Sequence, residues 1–208
     1  LQIKISEEFQ KKLLDEAHKS RKESLSYRDK LAGVIKEEYA YEKKEMFLPE
    51  ISQILGVYDQ AFQKWKNQDY KMKPEYVLTS MWVNFMKKHE YNPPHDHADQ
   101  LSFVTFLDVP EEIKKENEAY EGQSGGPGSL AFLYGEGNRQ AITYQSIFPK
   151  ARDMFIFPAW LKHYVAPFYS DVTRISVSGN IASSIDLNQL NNNEKENKAI
   201  EPAQIKAG

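Results

Sequence analysis

From Pro74 onward the apolar residues of this chain change their period, and that change limits what it can fold into. Upstream they recur every three or four positions; downstream they alternate, or run unbroken for the length of a strand. Side chains share a face every 3.6 positions in a helix and every second position in a strand. A helical first third followed by a β-rich remainder is the expectation.

Ser6-Glu7-Glu8-Phe9 reads as a helix start, with acidic residues in the first turn where the dipole favours them. Phe9, Leu13, Leu14 and Ala17 then recur at helical spacing. The charged stretch 18–28 reads as a loop or a solvated helix face, and His18, among Lys and Arg, is a poor metal ligand. Leu31, Val34, Ile35 and Tyr39 suggest a second, shorter apolar face in this helical third. Pro49 at a first-turn position opens a further helix, with Ile51, Ile54, Leu55, Tyr58, Phe62 and Trp65 on one core-facing stripe.

Tyr76–Met86 has strand composition, with Trp82, Asn84 and Met86 on one face and Val83 and Phe85 on the other. Asn84 is either a structural hydrogen-bonding residue or part of a pocket lining. Asn92-Pro93-Pro94 forces extended backbone. Residues 101–109 suit a strand buried on both faces, in which Thr105 either packs or reaches a ligand. The polar 111–121 and Gly-rich 122–129 read as a flexible excursion or lid. Strands are expected at 129–134, 141–148, 153–157 and 172–181, with a turn at 135–138. In the last of these, Arg174, Ser176 and Ser178 share one face, and Ile175 and Val177 the other. Short strands at this spacing make a sandwich or barrel. The expected organisation is one domain over 1–186, helical over 1–72 with its β core at 75–182, and a loose polar tail at 187–208.

At 208 residues, 40% hydrophobic and 12% aromatic, the chain can bury one good core. A net charge of −3 gives no reason to expect nucleic acid. No run of about 18 apolar residues suggests a membrane span. The absence of cysteine excludes disulfides and thiolate metal sites and fits a reducing cytoplasm.

The chemistry concentrates at His95-Asp96-His97-Ala98-Asp99. On an extended backbone His95, His97 and Asp99 fall on one side, and His163 lies in an apolar strand-like run downstream. Imidazole with carboxylate suits Fe(II), and two histidines with one carboxylate leave positions open. His97, Asp99 and His163 make one such set. His95, His97 and His163 make an equally spaced all-histidine alternative of cupin type. Arg174 carries a fork of donors that suits a carboxylate.

In order and spacing, His97-Ala98-Asp99, His163 and Arg174-Ile175-Ser176 resemble the Fe(II)/2-oxoglutarate-dependent oxygenases. Trp82-Val83-Asn84, Phe157-Pro158-Ala159-Trp160-Leu161-Lys162-His163 and the run 174–180 resemble a branch of that superfamily common in marine bacteria and phages. The resemblance covers about residues 75–182. It implies a mainly β fold, a double-stranded β-helix or jelly roll, with the N-terminal helices packed on one sheet. It also implies His97, Asp99 and His163 as iron ligands (His95 the alternative), and Arg174 and Ser176 as the binders of 2-oxoglutarate. The cofactors implied are Fe(II) and 2-oxoglutarate, with O2 consumed and an unidentified substrate, a peptide among the candidates, hydroxylated. A metal-binding jelly roll without turnover is the alternative.

Overall fold

A computed structural model describes residues 1–66, 75–135 and 144–183. Its strands are β1 (Gln2–Lys4), β2 (Glu38–Ala40), β3 (Tyr76–Met86), β4 (Asn92–His95), β5 (Leu101–Asp108), β6 (Leu130–Leu133), β7 (Tyr144–Ile147), β8 (Asp153–Pro158), β9 (Lys162–Val165) and β10 (Arg174–Ser183). The helices are α1 (Glu7–Lys22), α2 (Leu48–Lys66) and α3 (Glu111–Glu118). The strands form a six-stranded sheet in the order β1-β8-β5-β10-β3-β2 and a four-stranded sheet in the order β4-β9-β6-β7, antiparallel throughout. The expected tail at 187–208 lies outside the described residues, as does most of the expected turn at 135–138.

Strand alternation assigns the two faces of the large sheet different work. Val83 and Phe85 of β3, Phe103 and Leu107 of β5, and Ile175 and Val177 of β10 point outward into the main core. Phe9, Leu13 and Ala17 of α1, with Ile51 and Leu55 of α2, close over them. The Ser6 hydroxyl caps α1 by accepting from the Phe9 amide at 3.1 Å. Burying one such Phe or Leu stabilises by roughly 1.5–3 kcal/mol. An exposed i,i+4 pair such as Glu8–Lys12 gives a few tenths. The apolar face therefore holds α1 in place. This is the jelly-roll architecture with helices on one sheet.

The inner face carries Trp82, Asn84 and Met86 of β3 and Arg174, Ser176 and Ser178 of β10, and looks toward the small sheet. Val104, Phe106, Phe155 and Phe157 meet Leu130 there in a second apolar cluster. β5 is buried from Leu101 to Leu107, as its unbroken apolar run predicts. Among the described residues no helix is long and apolar enough to cross a membrane.

Two expectations change. Residues 31–39 form no helix. The chain passes through a short 3-10 turn at Arg28–Lys30 and then runs extended into β2, its backbone spent on β3, Leu25 and Tyr91. Strand pairing overrides a weak helical pattern. The segment 111–129 is also ordered: Ile113 is fully buried and anchors α3. The Asn117 amide donates to the carbonyls of Gly125 and Pro127 at 2.8 and 2.9 Å, which ties down the glycine-rich stretch.

Candidate metal and co-substrate site

β4 and β9 pair so that His95 lies directly opposite His163. The chain leaves β4 after His95, and the His97 amide donates to the Ala159 carbonyl, which brings the His97 ring back onto the same spot. The ring centroids lie 4.3 Å (His95–His163), 5.0 Å (His95–His97) and 5.3 Å (His97–His163) apart. One ligand atom from each of the three falls within 4.8 Å of the others. A metal ion can be held at that separation.

Protonation states suit the task. The Nδ1 of His95 is 2.7 Å from the Pro93 carbonyl, and the Nδ1 of His163 is 2.9 Å from that of Leu161. A carbonyl only accepts, so each Nδ1 carries a proton and Nε2 is the atom left to ligate when the ring is neutral. Burial, with His95 adding to it, lowers the pKa of His163 to about 3 and that of His97 to about 4. The rings of Phe157, 4.7 Å from His163, and Trp82, 6.0 Å from His97, provide much of that apolar surrounding. Neutral imidazoles crowded together in an apolar wall are the form that ligates a metal.

The predicted residues are distributed unevenly. His97 and His163 come together with His95; Asp99 lies outside that group. The backbone bends over 98–100, and the Asp99 carboxylate accepts a hydrogen bond from the Thr79 hydroxyl at 3.0 Å. The alternation that would align Asp99 with His95 and His97 requires a strand, and β4 ends at His95. Asp96 is exposed.

A cavity runs from the histidines along the inner face of the large sheet to Arg174, with Asn84 and Ser176 in its wall. Arg174 is 2% exposed. It donates from Nη1 to the Gly128 carbonyl at 2.7 Å and from Nη2 to the Met86 sulfur at 2.9 Å, while its Nε has no partner. The guanidinium lies over the rings of Phe106 and Phe168, at 5.2 and 5.9 Å. Among the described residues no carboxylate pairs with it. Burial lowers its pKa to about 10, which leaves it charged near neutrality. A buried cation without a counter-charge is costly, and an anion entering the cavity would relieve that cost. Gly128 enables the arrangement: its φ is +73°, and a Cβ there would come within 2.6 Å of the Ile113 Cγ2.

A cluster of three imidazoles at one end and an unpaired guanidinium at the other fit a divalent iron and a dicarboxylate between them. Sequence reasoning passed over two polar residues nearby, Glu38 and Asn92. Glu38 stands in a charged stretch without a motif, and only the β2–β3 register reveals its inward direction.

Comparison with known proteins agrees with this geometry. Residues 80–180 match the family model "Putative 2OG-Fe(II) oxygenase". No curated protein is significantly similar in sequence. Among solved structures, a Pseudomonas putida prolyl-4-hydroxylase is similar at 14% identity, over 88% of this chain and 91% of that one, with a TM-score of 0.56. A Trichoplax adhaerens prolyl hydroxylase, solved with a hypoxia inducible factor oxygen degradation domain peptide fragment, matches at 12% identity, over 88% and 82%, with a TM-score of 0.54. A Burkholderia pseudomallei oxidoreductase of the 2OG-Fe(II) oxygenase family aligns at 15% identity and a TM-score of 0.39, over 54% of this chain and 47% of that one. The two prolyl hydroxylases show the fold, and the family model covers the strands that bear the site. Over residues 80–180 the sequence is similar to that of the 2OG-Fe(II) oxygenase family, oxidoreductases that use Fe(II) and 2-oxoglutarate, and the fold is that of the two prolyl hydroxylases.

Proposed function

We propose that this chain hydroxylates an organic substrate, a peptide side chain being the class in view, with iron held by His95, His97 and His163 and 2-oxoglutarate held by Arg174 and Ser176. The observation that carries this reading is the unpaired Arg174 guanidinium, buried at the far end of a cavity that begins at three clustered histidines. When bound, Fe(II) supplies the redox chemistry that couples decarboxylation of 2-oxoglutarate to oxidation of the substrate. The protein's own part is to hold and to exclude. The Nε2 atoms of His95 and His163 offer lone pairs, Arg174 grips the distal carboxylate through its free N–H groups, and the Ser176 hydroxyl adds a hydrogen bond from the same strand face. Phe157 and Trp82 keep water from the histidines.

His97, Asp99 and His163 form the second ligand set. It requires the Asp99 carboxylate to leave Thr79 and turn inward. A metal-binding protein without turnover is a second function, which an all-histidine donor set favours. The peptide reading leans on the Trichoplax adhaerens enzyme having been solved with a peptide, and on the exposed Tyr134–Trp160 pair, 6.0 Å apart, beside the β9 end of the site. We read residues 1–186 as one domain, and a chain without cysteine is in keeping with the cytoplasm.

The test is anaerobic addition of Fe(II) and then 2-oxoglutarate. A weak visible charge-transfer band that needs both supports the enzyme. Iron binding with no band and no succinate formation under air would leave the non-catalytic alternative.

A further inference from the structure

One transverse row of the large sheet contains three polar residues that point inward. Glu38 of β2 is in register with Asn84 of β3, which is in register with Ser176 of β10. Directly opposed residues in antiparallel strands share a face, so Glu38 projects toward the wall that Asn84 and Ser176 form. The row stands one step from Arg174 and Met86, which are in register, and one step on the other side from Ser178 and Trp82, whose ring touches His97. A dicarboxylate strung between the histidines and Arg174 must cross it.

The hydrogen bonding of this row is incomplete. Glu38 is 1% exposed, yet both its carboxylate oxygens lack a partner. Asn84 is 5% exposed; its Oδ1 lacks a partner, and its Nδ2 makes only a long 3.5 Å contact to the Ser176 hydroxyl. The Oδ1 of Asn92, across the gap on β4, is also unsatisfied. It shares a corner with Glu38, since both lie within 3.4 Å of where a Cβ on Gly33 would stand. Four buried acceptors have no donor, and buried polar atoms are rarely left so. One proton on Glu38 changes the count, because a neutral carboxyl both donates and accepts.

We propose that Glu38 is a positioning residue for 2-oxoglutarate: as the neutral acid it donates to the Asn84 Oδ1, which turns the Asn84 amide N–H groups toward Ser176 and the cavity, where they hydrogen-bond the co-substrate. This rests on the co-substrate reading above. Once ionised, Glu38 loses that donation and sets a negative charge beside an anion. Burial holds its pKa up at about 7; of the charged groups that face it, Arg28 opposes that shift and Glu90 adds to it.

The experiment is 2-oxoglutarate titration of the anaerobic Fe(II)-loaded protein between pH 6 and 8, in wild type and in E38Q and E38A. If only the neutral acid supports binding, wild-type affinity falls about tenfold over that range. E38Q, which always carries a donor, shows no such fall, and E38A binds weakly at every pH. A second measurement needs neither iron nor co-substrate: the side-chain amide resonance of Asn84 shifts with a midpoint near 7 in wild type and stays fixed in E38Q. Binding with parallel pH profiles in wild type and E38Q, or an Asn84 resonance indifferent to Glu38, overturns the proposal alone. Failure of wild type to bind 2-oxoglutarate at any pH overturns the co-substrate reading, and this proposal with it.

Discussion

His95 and His163 face each other across the β4–β9 ladder with ring centroids 4.3 Å apart, and each donates Nδ1–H to a carbonyl two residues earlier. That leaves Nε2 of each ring as the atom able to ligate, in a group whose ligand atoms lie within 4.8 Å of one another. His163→Ala removes the only ligand that comes from β9 and is expected to abolish iron binding while the antiparallel pairing of β9 keeps the fold. Metal analysis of the purified variant checks it; full iron occupancy would exclude the assignment.

The choice between the two ligand sets is a direct comparison. Because Asp99 is engaged with Thr79 and His95 sits within the cluster, His95→Ala is expected to lower iron affinity by tenfold or more, and Asp99→Ala by much less. The opposite ranking in an iron titration would return Asp99 to the metal.

Much of this site is legible in sequence. Alternation places Asn84, Arg174 and Ser176 on one wall, and the order of His97, His163 and Arg174 is what makes the chain resemble the oxygenases. What sequence does not carry is where a strand stops. Asp99 satisfies the two-residue period on paper, but β4 ends at His95 and the bend at 98–100 redirects the carboxylate. Glu38 fails for the converse reason. Its inward direction follows from pairing with β3, a contact between residues 46 positions apart, and nothing local marks it. The order of 111–129 depends on single long-range anchors, Ile113 and the Asn117 amide, which composition cannot reveal.

Glu38 also makes a prediction about stability in the metal-free protein. Its folded pKa, about 7, is raised above the ordinary 4.5. The folded state therefore holds a proton that the unfolded chain has released. The stabilising contribution is fully present below about pH 4.5 and is lost as pH rises through 7. His97 and His163 are shifted the other way, so they destabilise at low pH and stop contributing above their ordinary 6.5. The difference between wild type and E38Q isolates the carboxyl. Urea denaturation from pH 5 to 8 is expected to show wild type losing stability relative to E38Q, by up to about 3 kcal/mol. A constant difference would mean that Glu38 is ionised throughout.

Gly128→Ala tests the support behind Arg174. A side chain at φ +73° is strained, and its Cβ would collide with Ile113. The expected cost is roughly 1–3 kcal/mol, seen as a lowered Tm. It should come with a raised KM for 2-oxoglutarate, because the Gly128 carbonyl fixes the guanidinium. A Tm drop with unchanged KM would limit Gly128 to the fold.

Arg174 separates a 2-oxoglutarate enzyme from any other metal-binding jelly roll. It lies at the opposite end of the cavity from the histidines and its Nε is free, so it should bear on the co-substrate and leave the iron alone. Charge-assisted hydrogen bonds are each worth roughly 1.5–3 kcal/mol, so losing a two-pronged grip is expected to weaken 2-oxoglutarate binding by about a hundredfold or more. Arg174→Ala should therefore raise the KM strongly with iron affinity nearly unchanged. Arg174→Lys should recover only part of the loss, because a point charge cannot reproduce the fork or keep both the Gly128 carbonyl and a carboxylate in hand. Removing the guanidinium also relieves a buried, unpaired cation, so Arg174→Ala should cost little stability despite the cavity it leaves. Equal 2-oxoglutarate affinity in wild type and Arg174→Ala would mean that the cation answers to some other anion, and the assigned co-substrate site would fall.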